Sequence, residues 1–272
     1  MKKLAAVVAA LLLAGAAFAQ DSGKAFFAGL YAFATDKSND GKDIYDARFL
    51  TADTMNEEYM FSGWLAQKMI TNIRYDFVCA VKNNGDDFTV SISDMRSYAC
   101  DSRGNKTKGK INVSAGYVVK QFENVFKEEI KNKIAAIPAD KVEEKFTQAV
   151  SAPLVFKALS ATMSNIAIKK LAEKSLSGKP AELELVIMEV DENPDKSSTG
   201  LAYKAICVAP YEVNTVDDLS LPPIYKTESY PVIVYSNNDK LVAAKIGSTY
   251  KAKGKADVQN NNGNWVYFLL EE

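Results

Sequence analysis

The chain has 272 residues, 47% hydrophobic and 10% aromatic, with 33 basic and 34 acidic side chains, a net charge of −1 and no histidine. A near-neutral chain lacks the broad basic field of a dedicated nucleic-acid binder. Without histidine, Ser-His-Asp and Cys-His catalysis and His-containing zinc sites are excluded, and an enzyme would need carboxylate, Lys, Tyr or Ser-Lys chemistry.

Lys2 and Lys3 precede an apolar run over 4–17, and Ala17-Phe18-Ala19 offers a small-x-small cleavage site before Gln20. This is the pattern of a secretory signal peptide over 1–19, and the run is short for a span of about 20 residues. The expected localisation is periplasmic or secreted, with no transmembrane span after cleavage. No Cys lies at the cleavage point, so a lipid-modified N-terminus is not indicated. The compartment permits disulfides, but Cys79, Cys100 and Cys207 cannot all pair within one chain. Which of them pair stays open, and Cys79 reads as a small buried residue.

Residues 24–35 are apolar and aromatic without a clear period, a strand or a short helix. The loop 36–43, DKSNDGKD, carries oxygens suited to calcium but lacks the EF-hand pattern and its closing Glu, and reads as solvated. A strand over 43–51 follows. Thr54-Met55-Asn56-Glu57 has the form of a capping box and predicts a helix to about residue 71, carrying Tyr59, Phe61, Trp64 and Leu65.

Two alternating runs flank Asn84-Gly85 between 73 and 94, the strongest short-range hairpin signal. With those residues at the centre of a type I′ turn, Val81 faces Phe88, Cys79 faces Val90 and Phe77 faces Ile92. One face then collects Phe77, Cys79, Val81, Phe88, Val90 and Ile92. A third strand is expected over 110–113. Over 115–137, Val118, Phe122, Val125, Phe126, Ile130, Ile134 and Ile137 recur at three and four, one apolar helical stripe suited to cover the hairpin.

Further helical segments start at Pro138 and at Ser151-Ala152-Pro153. The second runs to about 177 and stops at Gly178-Lys179-Pro180. Residues 149–168 hold one charge, Lys157, which favours burial. Strands are expected over 182–190, 201–209, 232–235, 240–246, 249–258 and 265–270, with Leu221-Pro222-Pro223 as a stiff link. The fold class is α+β: an antiparallel sheet covered by a long amphipathic helix (20–137), a helical middle segment (138–178) and a β-rich C-terminal unit (179–272).

The segments GWLAQKM (63–69) and IRYDFVCAVKNNGDDFTVSISDM (73–95) resemble a family of secreted bacterial domains of unknown function with a TBP-like, helix-grip fold, over about 43–98. The resemblance implies that fold and carries no catalytic residues. The tail GSTYKAKGKADVQNNNGNWVYFLLEE (247–272) resembles part of a small OB-type or SH3-like barrel.

There is no GxGxxG, P-loop or Cys-x-x-Cys motif, and neither catalytic nor metal-binding residues nor a cofactor are assigned. A sheet gripping a helix can leave an apolar cavity, with Phe77, Phe122 and Phe126 as ligand-facing candidates; core packing is the other reading of the same rings. Lys251, Lys253 and Lys255 share one strand face beside Trp265 and Tyr267 and are candidates for anion binding. Alternating Lys equally serves as a wet face or edge protection. The expected function is a non-catalytic exported bacterial protein that binds a hydrophobic ligand or an envelope component, and no nucleic acid. The alternative is a carboxylate-dependent hydrolase of the cell envelope.

Overall fold

The computed structural model describes residues 22–36, 43–67, 72–85, 87–110, 115–214, 225–261 and 264–271. The sequence readings that fall on 1–21, on 37–42, on 111–113 of the expected third strand and on 221–223 lie outside them. The chain is mixed α+β with two sheets, and it divides into two compact units between Ala149 and Val150.

In the first unit, residues 24–35 resolve to the helical alternative. Helix α1 (22–35) buries Phe26, Phe27, Leu30, Phe33 and Ala34, a stripe at helical spacing. Five strands follow as an antiparallel meander: β1 (Tyr45–Asp53), β2 (Glu58–Gln67), β3 (Ile73–Asn83), β4 (Phe88–Cys100) and β5 (Lys106–Lys110). Helix α2 (Ala115–Ala135) and helix α3 (Val142–Val150) complete the unit. α1 and α2 approach closely where Gly29 lies against the backbone of Ile134.

The helix expected from 54 to 71 is strand β2 instead. The Asp53 carboxylate accepts the backbone N–H groups of Met55 and Asn56 at 2.9 and 3.0 Å, so Thr54 does not open a helix and the segment is a tight turn. Beyond it Tyr59, Phe61 and Leu65 are buried at even spacing. β1 and β3 pair the backbone of β2 on both sides, and cross-strand pairing outweighs the local capping signal.

The hairpin turn is also corrected by one residue. Asn84 N–H donates to the Asp87 carbonyl at 2.8 Å, and Gly85, at φ +90°, takes the first central position, where a primed turn favours glycine. Pairings move by two, to Val81 with Val90 and Cys79 with Ile92. A shift of two preserves parity, so each side chain in this part keeps its face.

A bulge then changes that. Between Cys79–Ile92 and Val78–Asp94 the register slips, leaving Ser93 extra. The Ile92 N–H beside it is satisfied by the Glu123 carboxylate of α2 at 2.9 Å. Beyond Ser93, β4 presents Met95, Ser97 and Ala99 with Phe77 and Tyr75. It turns Asp94, Arg96, Tyr98 and Cys100 to the opposite face.

In the second unit the helix expected over 151–177 is two helices, α4 (Pro153–Thr162) and α5 (Asn165–Ser175). Met163 is extended, and the Ser164 hydroxyl accepts the Ala167 N–H as a new N-cap. The remaining strands are β6 (Lys179–Glu192), β7 (Tyr203–Asn214), β8 (Tyr225–Ser236), β9 (Thr249–Asn261) and β10 (Asn264–Glu271), with short helices α6 (Lys196–Thr199) and α7 (Asp239–Ala243). α7 replaces the strand expected over 240–246, because the Asn238 side chain accepts the Lys240 N–H and starts a helical turn.

These five strands close into a barrel of order β10-β8-β7-β6-β9, with β8 parallel to β10 and β9 paired to both β6 and β10. Small residues, Ala205, Cys207, Ala252 and Ala256, point inward beside Leu185, Val232, Val234 and Leu269. α4 packs on the barrel through Phe156, edge-on to Trp265 and Tyr267, and the Tyr267 hydroxyl donates to the Ser151 carbonyl.

Candidate functional site

Phe77, Phe122 and Phe126 lie together on the helix side of the first sheet, 3%, 7% and 2% exposed. Phe126 is 5.1 Å from Phe77 and 5.2 Å from Phe33 between ring centroids, and Phe122 is 5.2 Å from Tyr75. Phe33 of α1 also meets Phe61 of β2, and Phe27 stacks on Tyr59 at 5.0 Å. Rings from three layers of chain interlock at the tilted and edge-on angles aromatic pairs favour. Residues 24–35 carry this share of the contacts, and their lack of a clear period hid it.

Lys251 and Lys253 face Glu184 and Glu182 across the β6–β9 ladder, at 3.8 and 3.9 Å. Lys255 faces Pro180. The lysine stripe is one side of a charge ladder, and its field is largely cancelled at that distance. Exposed pairs of this kind add little stability. Asp36, at the start of the acidic loop, pairs with Lys133 of α2. Among the described residues no three of Cys, Asp and Glu converge in a way that could hold a metal ion, and no helix is long and apolar enough to cross a membrane.

The three thiols are buried and unpaired with one another. Cys79 faces the helices and Cys100 the opposite side of the same sheet, so the two cannot bridge. Burial raises the pKa of all three; Cys207 is pushed up to about 11, with the nearby Glu271 carboxylate adding to the effect. A raised thiol pKa leaves the protonated form dominant below it, so at pH 8 little thiolate is present. Native protein at pH 8 is therefore expected to react slowly with a thiol-exchange reagent and to release the full three equivalents once unfolded in guanidinium chloride. Rapid labelling of the native state would contradict this burial.

Inside one end of the barrel a polar group is enclosed. Glu271, 6% exposed, accepts from the Ser236 hydroxyl at 2.6 Å and from the Tyr250 hydroxyl at 2.8 Å. The Asn238 side-chain amide donates to the Tyr250 oxygen at 3.3 Å. Burial, then the Glu271 contact, raises the Tyr250 pKa, so the phenol stays a donor. This network ties the carboxyl end of β10 to β8 and β9.

The outer surface of the barrel differs. Along β7 the small residues face in, while Lys204, Ile206, Val208 and Pro210 face out. Across the sheet Ile206 pairs with Ile233, and Ile233 with Phe268. Tyr235 stacks on Phe268, centroids 6.0 Å apart and planes 19° apart. Ile206 is 36% exposed, and Met188, at a bulge of β6, 51%. Lys204 lies opposite Asp191. Sequence reasoning missed this face because β7 is apolar on both sides. The available signal was size: alanine and cysteine alternate with larger residues, as a narrow barrel interior requires.

A second polar-aromatic group lies on the side of the first sheet away from the helices. The Arg74 guanidinium sits 4.1 Å over the Trp64 ring, which stacks on Tyr45 at 4.4 Å and donates its Nε1–H to Asp46 at 2.6 Å. Asp76 accepts from both Arg74 and Lys106 at 2.6 Å. The Ser93 bulge adds Arg96 and Tyr98 to this side. No protein-family model and no curated protein matches the chain.

Proposed function

We propose that this chain is an exported, non-catalytic binding protein whose barrel holds a glycan of the cell envelope on the outer surface of β7, β8 and β10. The observation that carries the reading is the outward apolar-aromatic strip of Ile206, exposed, with Ile233, Phe268 and Tyr235, half-buried. An outward apolar strip that reaches the surface supports a binding face.

The strand order, with its third and fifth strands parallel, fits an OB-type barrel, a fold whose second and third strands commonly hold oligonucleotides or oligosaccharides. Charge separates those two classes. Polyphosphate backbones need clustered cations, whereas here Lys204 stands opposite Asp191 and Lys251 and Lys253 stand opposite Glu184 and Glu182. A sugar ring presents an apolar C–H face to an aromatic platform and needs no such field. The 1–19 leader pattern supports export, and an exported protein meets envelope glycans.

Co-sedimentation of the mature protein with insoluble cell-wall polysaccharide tests the reading. Retention of the wild type is expected, with about ten-fold weaker binding for Phe268→Ala and for Tyr235→Ala, the loss of one stacking platform. Equal retention of the variants, or none by the wild type, would reject it.

A further inference from the structure

Arg96 is the least satisfied charge among the described residues. Its side chain is 3% exposed. Its Nε reaches Asp94 at 3.4 Å, a long contact, and both terminal nitrogens are buried without an acceptor. The neighbouring Tyr98 hydroxyl is buried as well, with no acceptor of its own, and lies beside the same guanidinium. A guanidinium carries five N–H donors in a planar fork, and a buried fork left open is costly to the fold. Charge on this side of the sheet points the same way. Asp76 is already shared between Arg74 and Lys106, and Asp94 is the carboxylate that Arg96 reaches. The Lys106 ammonium lies 3.9 Å from the Tyr98 ring centroid, adding positive potential next to the open donors.

We propose that Arg96 and Tyr98 form a site for one small oxyanion, a phosphate or a carboxylate group, taken by the guanidinium fork and the phenol hydroxyl. Planar, bidentate acceptance is the geometry in which arginine binds both groups best. Burial and Asp76 raise the Tyr98 pKa, with Arg96 opposing them, so the hydroxyl remains a donor at neutral pH. The site exists because of the Ser93 bulge: without the slip Arg96 would point into the aromatic core. β5, a five-residue edge strand with a register shift against Tyr98–Cys100, is its most weakly anchored wall. The site belongs to the first unit and is independent of glycan binding by the barrel.

The test is thermal unfolding of the full mature chain in chloride buffer, with inorganic phosphate or citrate added, alongside isothermal titration of each. A hundred-fold excess over the dissociation constant is expected to raise Tm by about 5–10 °C. A rise with phosphate alone assigns a phosphoryl ligand, and a rise with citrate alone a carboxylate. Arg96→Met, an apolar replacement of similar length, is expected to fold and to lose the response. Tyr98→Phe, which keeps the ring, is expected to weaken titrated binding about ten-fold. No rise in the wild type, or the same rise in Arg96→Met, as general exclusion of these anions from the protein surface would give, overturns the site.

Discussion

Gly254→Val is expected to open the barrel, lowering its stability by about 4 kcal/mol, at the upper end of what single substitutions do. Gly254 lies in β9 between Ala181 of β6 and Glu271 of β10. A Cβ there would fall 2.0 Å from the Leu270 carbonyl oxygen and 2.7 Å from the Glu271 Cα. Both are backbone atoms, so no rotamer change relieves the clash, and β9 and β10 must part where the barrel closes. Parting them also loosens the grip of Tyr250 and Ser236 on the buried Glu271 carboxylate. Each buried polar group left unmatched adds about 1–3 kcal/mol. The chain has two tryptophans, Trp64 in the first unit and Trp265 in the barrel. Urea unfolding followed by Trp265 fluorescence in a Trp64→Phe background therefore reports the barrel alone. A midpoint unchanged by the substitution would mean that the strands do not approach this closely.

Phe126→Ala is expected to cost the first unit about 3–5 kcal/mol, the range for removing a packed aromatic ring. Phe126 touches Phe33, Phe77 and Phe122, rings from α1, β3 and its own helix, so truncation leaves a hole that no single neighbour can fill. The size of the loss separates two roles for Phe77, Phe122 and Phe126. Rings that pack only on one another give the full loss. Rings lining a ligand cavity would give well under that, since the missing volume merges with existing space, and protein purified from its own compartment would carry extra mass by native mass spectrometry. Circular dichroism in urea together with that mass measurement decides between them.

Legibility from sequence followed the range of the interaction. The apolar stripe of α2 and the alternation of β3 and β4 arise from side-chain spacing within one element, and the faces they define stand up to Ile92. The turn was misplaced by one residue because Asn84-Gly85 and Gly85-Asp86 both offer glycine to a primed turn, and local sequence ranks them without reference to the closing hydrogen bond from Asn84 to Asp87. β2 was misread for a different reason. Met60 and Trp64 on one face and Tyr59, Phe61 and Leu65 on the other blur the period of two, and the capping-box pattern decided in favour of helix until Asp53 claimed the N–H groups of Met55 and Asn56.

The candidate sites were harder to read than the fold. Lys251, Lys253 and Lys255 are visible as a stripe, but Glu182 and Glu184, which oppose two of them, lie some seventy residues earlier and meet them only through the β6–β9 ladder. Ile206, Ile233 and Phe268 are likewise scattered along the chain, and the row they form depends on barrel closure and on the parallel β8–β10 pair.

By itself the sequence determined the α+β class, the apolar face of the long helix and the β-rich tail, because periodicity and turn residues act over a few positions. Its lack of histidine also removed whole classes of chemistry before any fold was considered. Only the tertiary structure decided that 58–67 is a strand, that the tail closes on itself, and that a single extra residue, Ser93, turns Arg96 and Tyr98 away from the core. Each of these is settled by backbone hydrogen bonds between one segment and another, and such partners cannot be identified from the pattern of either segment alone.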